Sequence, residues 1–177
     1  MAESLRAKLE AIEKSQGMIE FAMDGTILTA NQNFLNVLGY SLEEIKGRHH
    51  RMLCESSYAA SPEYAAFWEK LNQGLFDAAE YKRIGKNGKE IWIQAAYNPI
   101  LDGNGKPYKV VKVATDITAQ KLKNFEFEGK MEAIGKSQGV IEFAMDGSIL
   151  TANQNFLNVV GYSLEEIKGR HHRMLCE

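Results

Sequence analysis

The chain has 177 residues, 45% hydrophobic and 25% charged, with a formal net charge of −2. That balance reads as an ordinary soluble globular protein and excludes the dense basic surface that nucleic acid or an anionic membrane requires. No apolar run approaches the roughly eighteen residues of a bilayer span, and the start MAESLRAKLE lacks the apolar core of a secretory signal, so a cytoplasmic setting is expected.

In chain order, residues 4–15 read as a short amphipathic helix with Leu5, Leu9 and Ile12 on one stripe. MIEFAM and TILTAN flank Asp24-Gly25 and predict a hairpin. Asn31 is placed to cap the next helix, with Phe34, Val37 and Leu38 on its apolar face and Gly39 at its end. Ser41 to Glu44 has capping-box spacing for a further short helix closed by Gly47, and His49–Leu53 adds a turn. Ser61-Pro62 starts a longer helix whose Tyr64, Phe67, Trp68 and Leu71 recur at helical spacing up to Gly74.

The period then changes to two. Residues 75–84, 89–99 and 107–117 predict three strands joined by Gly85-Lys-Asn-Gly88 and Asp102-Gly-Asn-Gly105. On the middle strand Ile91, Ile93, Ala95 and Tyr97 alternate with Trp92 and Ala96, so both sheet faces carry apolar groups. An outer cover is implied, supplied by helix 4–15 or by a second molecule. Residues 119–136 have Leu122, Phe125, Met131 and Ile134 at helical spacing, against which Gly129 and Gly135 count. Helices grouped between two blocks of antiparallel strands give the α+β class.

The chain also repeats itself. Residues 8–55 match residues 130–177 at a constant offset of 122, and only five of those 48 positions differ: Leu9/Met131, Glu13/Gly135, Met18/Val140, Thr26/Ser148 and Leu38/Val160. So long an offset is a whole domain with its connector, not a solenoid period. The chain reads as a piece of a longer protein that stops inside a second copy. Cys54 and Cys176 fall at equivalent repeat positions, leaving one thiol per unit and no internal disulfide, which fits a reducing compartment. CxxC and HExxH spacings are absent, so a structural zinc site is not expected.

Several short motifs point to one family. They are Asn31-x-x-Phe34, Gly39-Tyr40-Ser-x-Glu-Glu44-Ile-x-Gly47, Lys86-Asn-Gly88-Lys-x-x-Trp92, Pro99-Ile100 and Asp116-Ile-Thr118. Together they resemble the PAS sensor domain. The stretches Gly47-x-His49-His50-Arg51-Met52, Ser61-Pro62-x-Tyr64-x-x-Phe67-Trp68 and Trp92-Ile-Gln-Ala-x-Tyr97-Asn-Pro99 are similar to the tandem PAS regions of cytoplasmic chemoreceptors of the aerotaxis and biofilm-dispersion type. The resemblance implies a five-stranded antiparallel sheet with short helices on one face. It divides the chain into an N-terminal amphipathic helix (1–17), a complete PAS domain (18–118), a helical connector (119–139) and the first part of a second PAS domain (140–177). It also implies sensing rather than turnover, with a redox, oxygen or small-ligand signal passed through flanking helices and dimer contacts to a downstream chemotaxis-type signalling region.

All four histidines lie in two His-His pairs, His49-His50 and His171-His172. The resemblance implies that His49 or His50 is a candidate haem-iron ligand against a wall of Leu53, Phe67, Trp68 and Leu71. For a flavin, Trp68 would line the ring, with His50 or Asn31 as hydrogen-bond donors. Aerotaxis flavin sensors carry an Arg-His pair where this chain has Leu53-Cys54. Haem b, FAD and no cofactor all stay open. From the residues alone, the histidines read first as cationic caps, Asn31 as a helix cap, Phe67 and Trp68 as plain core, and Cys54 as a small buried thiol. No nucleophile, base and orienting group can be assembled, so an enzyme is not expected.

The second copy lacks the helix and three strands that cover the first. Phe143, Ile149, Phe156 and Leu157 are therefore expected to be exposed. This fragment is expected to compete for the strands 75–117, within the chain or in a neighbour as a domain-swapped oligomer. A homodimer, a cofactor-free interaction module, and an input domain for a histidine kinase or cyclic-dinucleotide enzyme are the other readings.

Overall fold

The structure, a computed structural model, describes residues 2–176; the side chains of Ala2 and Leu5, the latter assigned to the first helix's stripe, lie outside that description. The chain forms two compact units that meet at Lys121 and Leu122.

In the first unit, α1 (Ala2–Ser15) leads into β1 (Gly17–Ala22) and β2 (Ile27–Ala30). The short helices α2 (Gln32–Leu38) and α3 (Leu42–Ile45), a 3₁₀ turn at His50–Leu53, α4 (Ser56–Ala59) and α5 (Pro62–Asn72) follow. Then come β3 (Asp77–Ile84), β4 (Glu90–Leu101) and β5 (Pro107–Asp116). The sheet order is β2-β1-β5-β4-β3, antiparallel at every pairing. The expected five-stranded α+β architecture is the observed one. Helix α4 has no counterpart in the sequence reading, because Ser56–Ala59 is a single turn without a capping side chain or a buried residue.

Local chemistry sets the short helices. Asn31 accepts from the Phe34 N–H at the start of α2, and Gly39 closes that helix in the left-handed region at φ 77°. Ser41 and Glu44 form a reciprocal capping box on α3. Ser61 caps α5 and Pro62 occupies its first position.

The helix layer lies on one face of the sheet. Ile19 and Phe21 of β1, Ile91, Ile93 and Tyr97 of β4, and Val110 of β5 form a core with Phe34, Leu38, Leu53, Phe67 and Leu71. The alternation on β4 is clean: Ile91, Ile93, Ala95 and Tyr97 are buried, while Trp92 and Ala96 on the opposite face are half-buried. That outer face forms an open groove of about 420 Å³ lined by Ala78, Gln94, Ala96 and Val113. Helix α1 leaves Leu9 and Ile12 about half exposed, at 48% and 46%. What holds α1 is its C-terminal end, which is gripped from α2: the Asn31 amide donates to the carbonyls of Glu13 and Gln16, and the Asn33 amide to those of Glu13 and Lys14.

Helix α6 (Thr118–Ser137) runs unbroken through Gly129 and Gly135. The glycine penalty of about 1 kcal/mol per residue does not stop it.

The second unit has a hairpin of β6 (Ile141–Phe143) and β7 (Ile149–Ala152), then α7 (Gln154–Val160), α8 (Leu164–Ile167) and a 3₁₀ turn at His172–Leu175. Its caps repeat those of the first unit, from Asn153 to the Ser163 and Glu166 box. Contrary to the expectation, Ile149 and Leu157 are buried, at 1% and 7% exposure, because the hairpin closes on α7 and α8 around Ala152 and Ile167. Phe143 is exposed as expected, at 45%. The Glu13/Gly135 difference also finds its reason here. Asn153 and Asn155 donate to the backbone carbonyl of Gly135 as Asn31 and Asn33 do to that of Glu13, so the side chain at this position is not used.

Candidate functional site

The His49-His50 pair sits where the β1–β2 hairpin meets the 3₁₀ turn. Thr26 forms a bridge with His49, and the His50 N–H donates to the Gly25 carbonyl at 2.8 Å. Gly25 has φ +88°, and a Cβ there would stand 2.7 Å from Nε2 of His49. A side chain at residue 25 would therefore be strained and would push the ring away. His49 is a cap, in the opposite sense to the cationic one expected. Its Nδ1 accepts the Arg51 N–H at 3.1 Å at the start of the turn.

His50 points inward and is fully buried. Its Nδ1 lies 2.9 Å from the Tyr64 hydroxyl and its Nε2 3.0 Å from the Tyr97 hydroxyl. The rings of Tyr64 and Phe67 stack beside it, and those of Phe21, Trp68 and Tyr97 meet it edge to face. Arg83 on β3 donates to the Tyr97 hydroxyl at 2.9 Å, and Tyr64 reaches Nδ1 of His49 at 3.5 Å. A line of polar groups thus runs Arg83, Tyr97, His50, Tyr64, His49, from the far edge of the sheet to the surface. Burial, reinforced by the cations Arg83 and Lys112, pushes the His50 ring well below its ordinary value, so it is neutral with one N–H. We assign that proton to Nδ1 by donor count. The Tyr97 oxygen accepts from Arg83 and gives its own proton to Nε2, while Nδ1–H donates to Tyr64. Burial raises the Tyr64 hydroxyl to about 12 and raises Tyr97 further, so both stay protonated donors.

Around this line the electrostatics are lopsided. Arg83 is 2% exposed and Lys112 0%. Lys112 stands opposite Tyr97 in the β4–β5 register, its ammonium 4.7 Å from the Tyr97 ring centre and 5.1 Å from that of Phe34. The Nζ of Lys112 and the Nε of Arg83 have no hydrogen-bond partner. Among the described residues no ion pair joins either one. Cys54 is buried and its thiol is pushed up by burial, so it supplies no negative charge. Burial first, then Arg83, depresses the Lys112 ammonium well below its ordinary value.

Two clefts reach this interior from the surface. One, of about 440 Å³, is lined by His49, Tyr64, Trp68, Asp24, Met23 and Asn72 among others. The other, of about 270 Å³, is lined by Tyr58, Tyr81, Arg83, Lys82, Glu55 and Glu80.

Of the sequence candidates, His50, Leu53, Phe67 and Trp68 come together in this core, and His49 stands at its rim. Asn31 does not join them. Its Oδ1 accepts from Met18 and Phe34 and its Nδ2 donates to Glu13 and Gln16, so its amide is fully partnered at the junction of α1, β1 and α2. The equivalents His171 and His172 are exposed. The sequence reading missed Arg83 and Lys112. For Lys112 a signal existed: it keeps the inward parity of Val110 and Ala114 on β5.

Haem iron needs a free imidazole lone pair. Both nitrogens of His50 face tyrosine hydroxyls, and Nδ1 of His49 accepts a backbone N–H, which puts its proton on Nε2 when the ring is neutral. The arrangement does not fit iron ligation by either ring. What the core presents instead is cationic donors and ring faces.

The chain matches the PAS fold family over residues 27–114 and a second PAS domain family over residues 137–177. It is 43% identical over 169 residues to the biofilm dispersion protein BdlA of Pseudomonas aeruginosa, covering 96% of this chain and 40% of that protein. It is 28% identical over 96 residues to the aerotaxis receptor of Escherichia coli, covering 54% of this chain and 19% of that protein. Its fold is similar to that of a PAS domain from Colwellia psychrerythraea, with a TM-score of 0.57 at 22% identity over 65% of this chain and 98% of the other. The chain thus spans well under half the length of these two curated relatives. With the sheet order, the capped short helices and two matches in tandem, the chain belongs to the PAS family of sensory domains.

Proposed function

We propose that residues 18–118 are a ligand-binding sensory domain of a cytoplasmic chemoreceptor-like protein, that residues 119–139 are its output connector, and that residues 140–177 begin a second PAS domain. The observation that carries this is the joint between β4 and α6. The Ile117 N–H donates to the Trp92 carbonyl at 2.9 Å, and the Trp92 N–H donates to the Thr118 hydroxyl at 3.0 Å. Asp116 accepts from both the N–H and the hydroxyl of Thr118. The strand that carries Tyr97 in the core is thereby fastened to the first turn of α6 without slack. A ligand that shifts Tyr97 has a short mechanical path to the helix. The role is binding and relay, not turnover.

The purified chain's absorption spectrum tests the nature of any cofactor: a Soret band indicates haem, blue absorption bands flavin. The relay is tested by hydrogen exchange over residues 117–137 with the core ligand present and absent. Protection that changes in the parent and not in Thr118→Ala supports the relay. Protection indifferent to the ligand in both overturns it.

A second reading, assembly through apolar faces, is favoured by the open outer groove and by Leu122, Phe125, Phe127, Met131 and Ile134, each at least 42% exposed on α6. The proposed homodimer or domain-swapped oligomer is tested by sedimentation of this chain against one ending at residue 122. Equal oligomeric states would reject the swap, and monomers in both would reject the dimer.

A further inference from the structure

We propose that the core of the first unit is a receptor for a small organic carboxylate, with Lys112 and Arg83 as the cations that hold it and the Tyr97 hydroxyl beside them. The inference rests on the sensory reading only in locating the ligand within residues 18–118.

Burying a cation without a partner is costly, and proteins normally pair one or leave it at the surface. Here two cationic side chains lie in one core, Arg83 on β3 and Lys112 on β5 with β4 between them, and both converge on Tyr97 of β4. The nearby carboxylates do not neutralise them. Glu55 and Glu90 are paired with Lys82, Glu80 with Lys121, and Asp77 with Lys70 and the Tyr81 hydroxyl. The neighbours Tyr97, Tyr64 and Cys54 are all held in their neutral forms by burial. An incoming anion would supply the missing charge.

The donor set selects its class. One Nη of Arg83 is engaged by the Lys82 carbonyl and the other by Tyr97, which leaves its Nε buried and without a partner beside the rings of Tyr58 and Tyr81. Lys112 offers its whole ammonium. In number and charge, those N–H groups match the two oxygens of one carboxylate. A phosphate would bring further oxygens and a second charge among the rings of Phe34, Phe21 and Phe67, where they would go unpaired. The same rings suit a body that is apolar or aromatic. Arg83 lines the cleft beside Tyr58 and Tyr81, which gives the anion its way in.

The test uses the full 177-residue chain and three probes, sodium benzoate, sodium butyrate and inorganic phosphate, each at ionic strength matched with sodium chloride. Calorimetric titration and the shift in thermal midpoint are read together. The expected result is saturable binding of benzoate or butyrate, weakened at least tenfold in Lys112→Met and in Arg83→Met. It should be retained in Lys86→Met, whose ammonium pairs with Glu44 at the surface. Arg83→Lys keeps the charge and guards against loss of fold. Carboxylates that bind no better than chloride, phosphate binding alone, or undiminished binding in Lys112→Met would each overturn the proposal. A carboxylate that binds while exchange in α6 stays unchanged would refute the relay and leave this site standing.

Discussion

Nε2 of His50 lies 3.0 Å from the Tyr97 hydroxyl, which on its other side accepts a hydrogen bond from Arg83 at 2.9 Å. One phenol thus joins the turn that begins at His50 to the edge strand β3, across the whole core. Removing that oxygen in Tyr97→Phe leaves two buried groups without a partner. The expected loss is about 1–3 kcal/mol of unfolding free energy. Urea unfolding of the full chain measures it, and an unchanged midpoint would mean that the hydroxyl does not bridge.

The neutral state of His50 makes stability depend on pH in one direction. Its folded value lies well below 6.5, so below about pH 6.5 the unfolded chain takes up a proton that the folded chain refuses. This contribution is complete above pH 6.5 and is lost as the pH falls toward the folded value. His50→Gln should therefore be more damaging at pH 7.5 than at pH 5.5. Urea midpoints in a His49→Gln background isolate the effect, because the neighbouring ring is then absent. An equal penalty at both pH values would contradict a buried neutral imidazole.

Lys112 carries the opposite expectation for a substitution in a core. The depressed ammonium binds its proton more weakly in the folded chain than in the unfolded one, so at neutral pH the residue costs stability. Lys112→Met keeps most of the volume and removes the buried amine. We expect it to raise the unfolding free energy by roughly 1–3 kcal/mol in the absence of a ligand. A more stable variant that no longer binds carboxylates would mark Lys112 as kept for function at the expense of the fold.

The grip on α1 tests the repeat. Asn31→Ala removes a helix cap and the bonds to the carbonyls of Glu13 in α1 and Gln16 just after it, and should cost about 1–2 kcal/mol. Asn33→Ala should speed hydrogen exchange at residues 10–16 with a smaller loss of global stability. Glu13→Gly, which copies the second unit's sequence into the first, should leave the grip intact, because Asn31 and Asn33 read the backbone carbonyl. Exchange rates that rise as much in Glu13→Gly as in Asn33→Ala would show that the side chain matters after all.

Much of the architecture was legible in the residues because it is encoded locally. Asn31, Ser41 and Ser61 cap the helices they precede, and Gly39 ends one by taking up a left-handed conformation. The alternation of Ile91, Ile93, Ala95 and Tyr97 states which side of β4 is inside. These signals depend on neighbours a few positions apart, and a sequence displays them directly. Helix α4 escaped because a single turn has too little periodicity to read.

The site divided along the same line. Spacing and the family resemblance pointed to His50, Leu53, Phe67 and Trp68, and the fold does bring them together. Asn31 could be read as a cap or as a donor, and only its four filled contacts decided which. That His50 is inside while its neighbour His49 caps a turn at the rim follows from the loop's path over Gly25, which no periodicity announces. The sequence by itself determined the order of the elements other than α4, the tandem repeat and the inward parity of Lys112. Only the tertiary structure decided that Arg83, from another strand, would meet Tyr97 and that no carboxylate among the described residues would pair with either cation. Charge balance inside a core is set by which residues distant in the chain share a small volume, and that is fixed only when the sheet and its helices close.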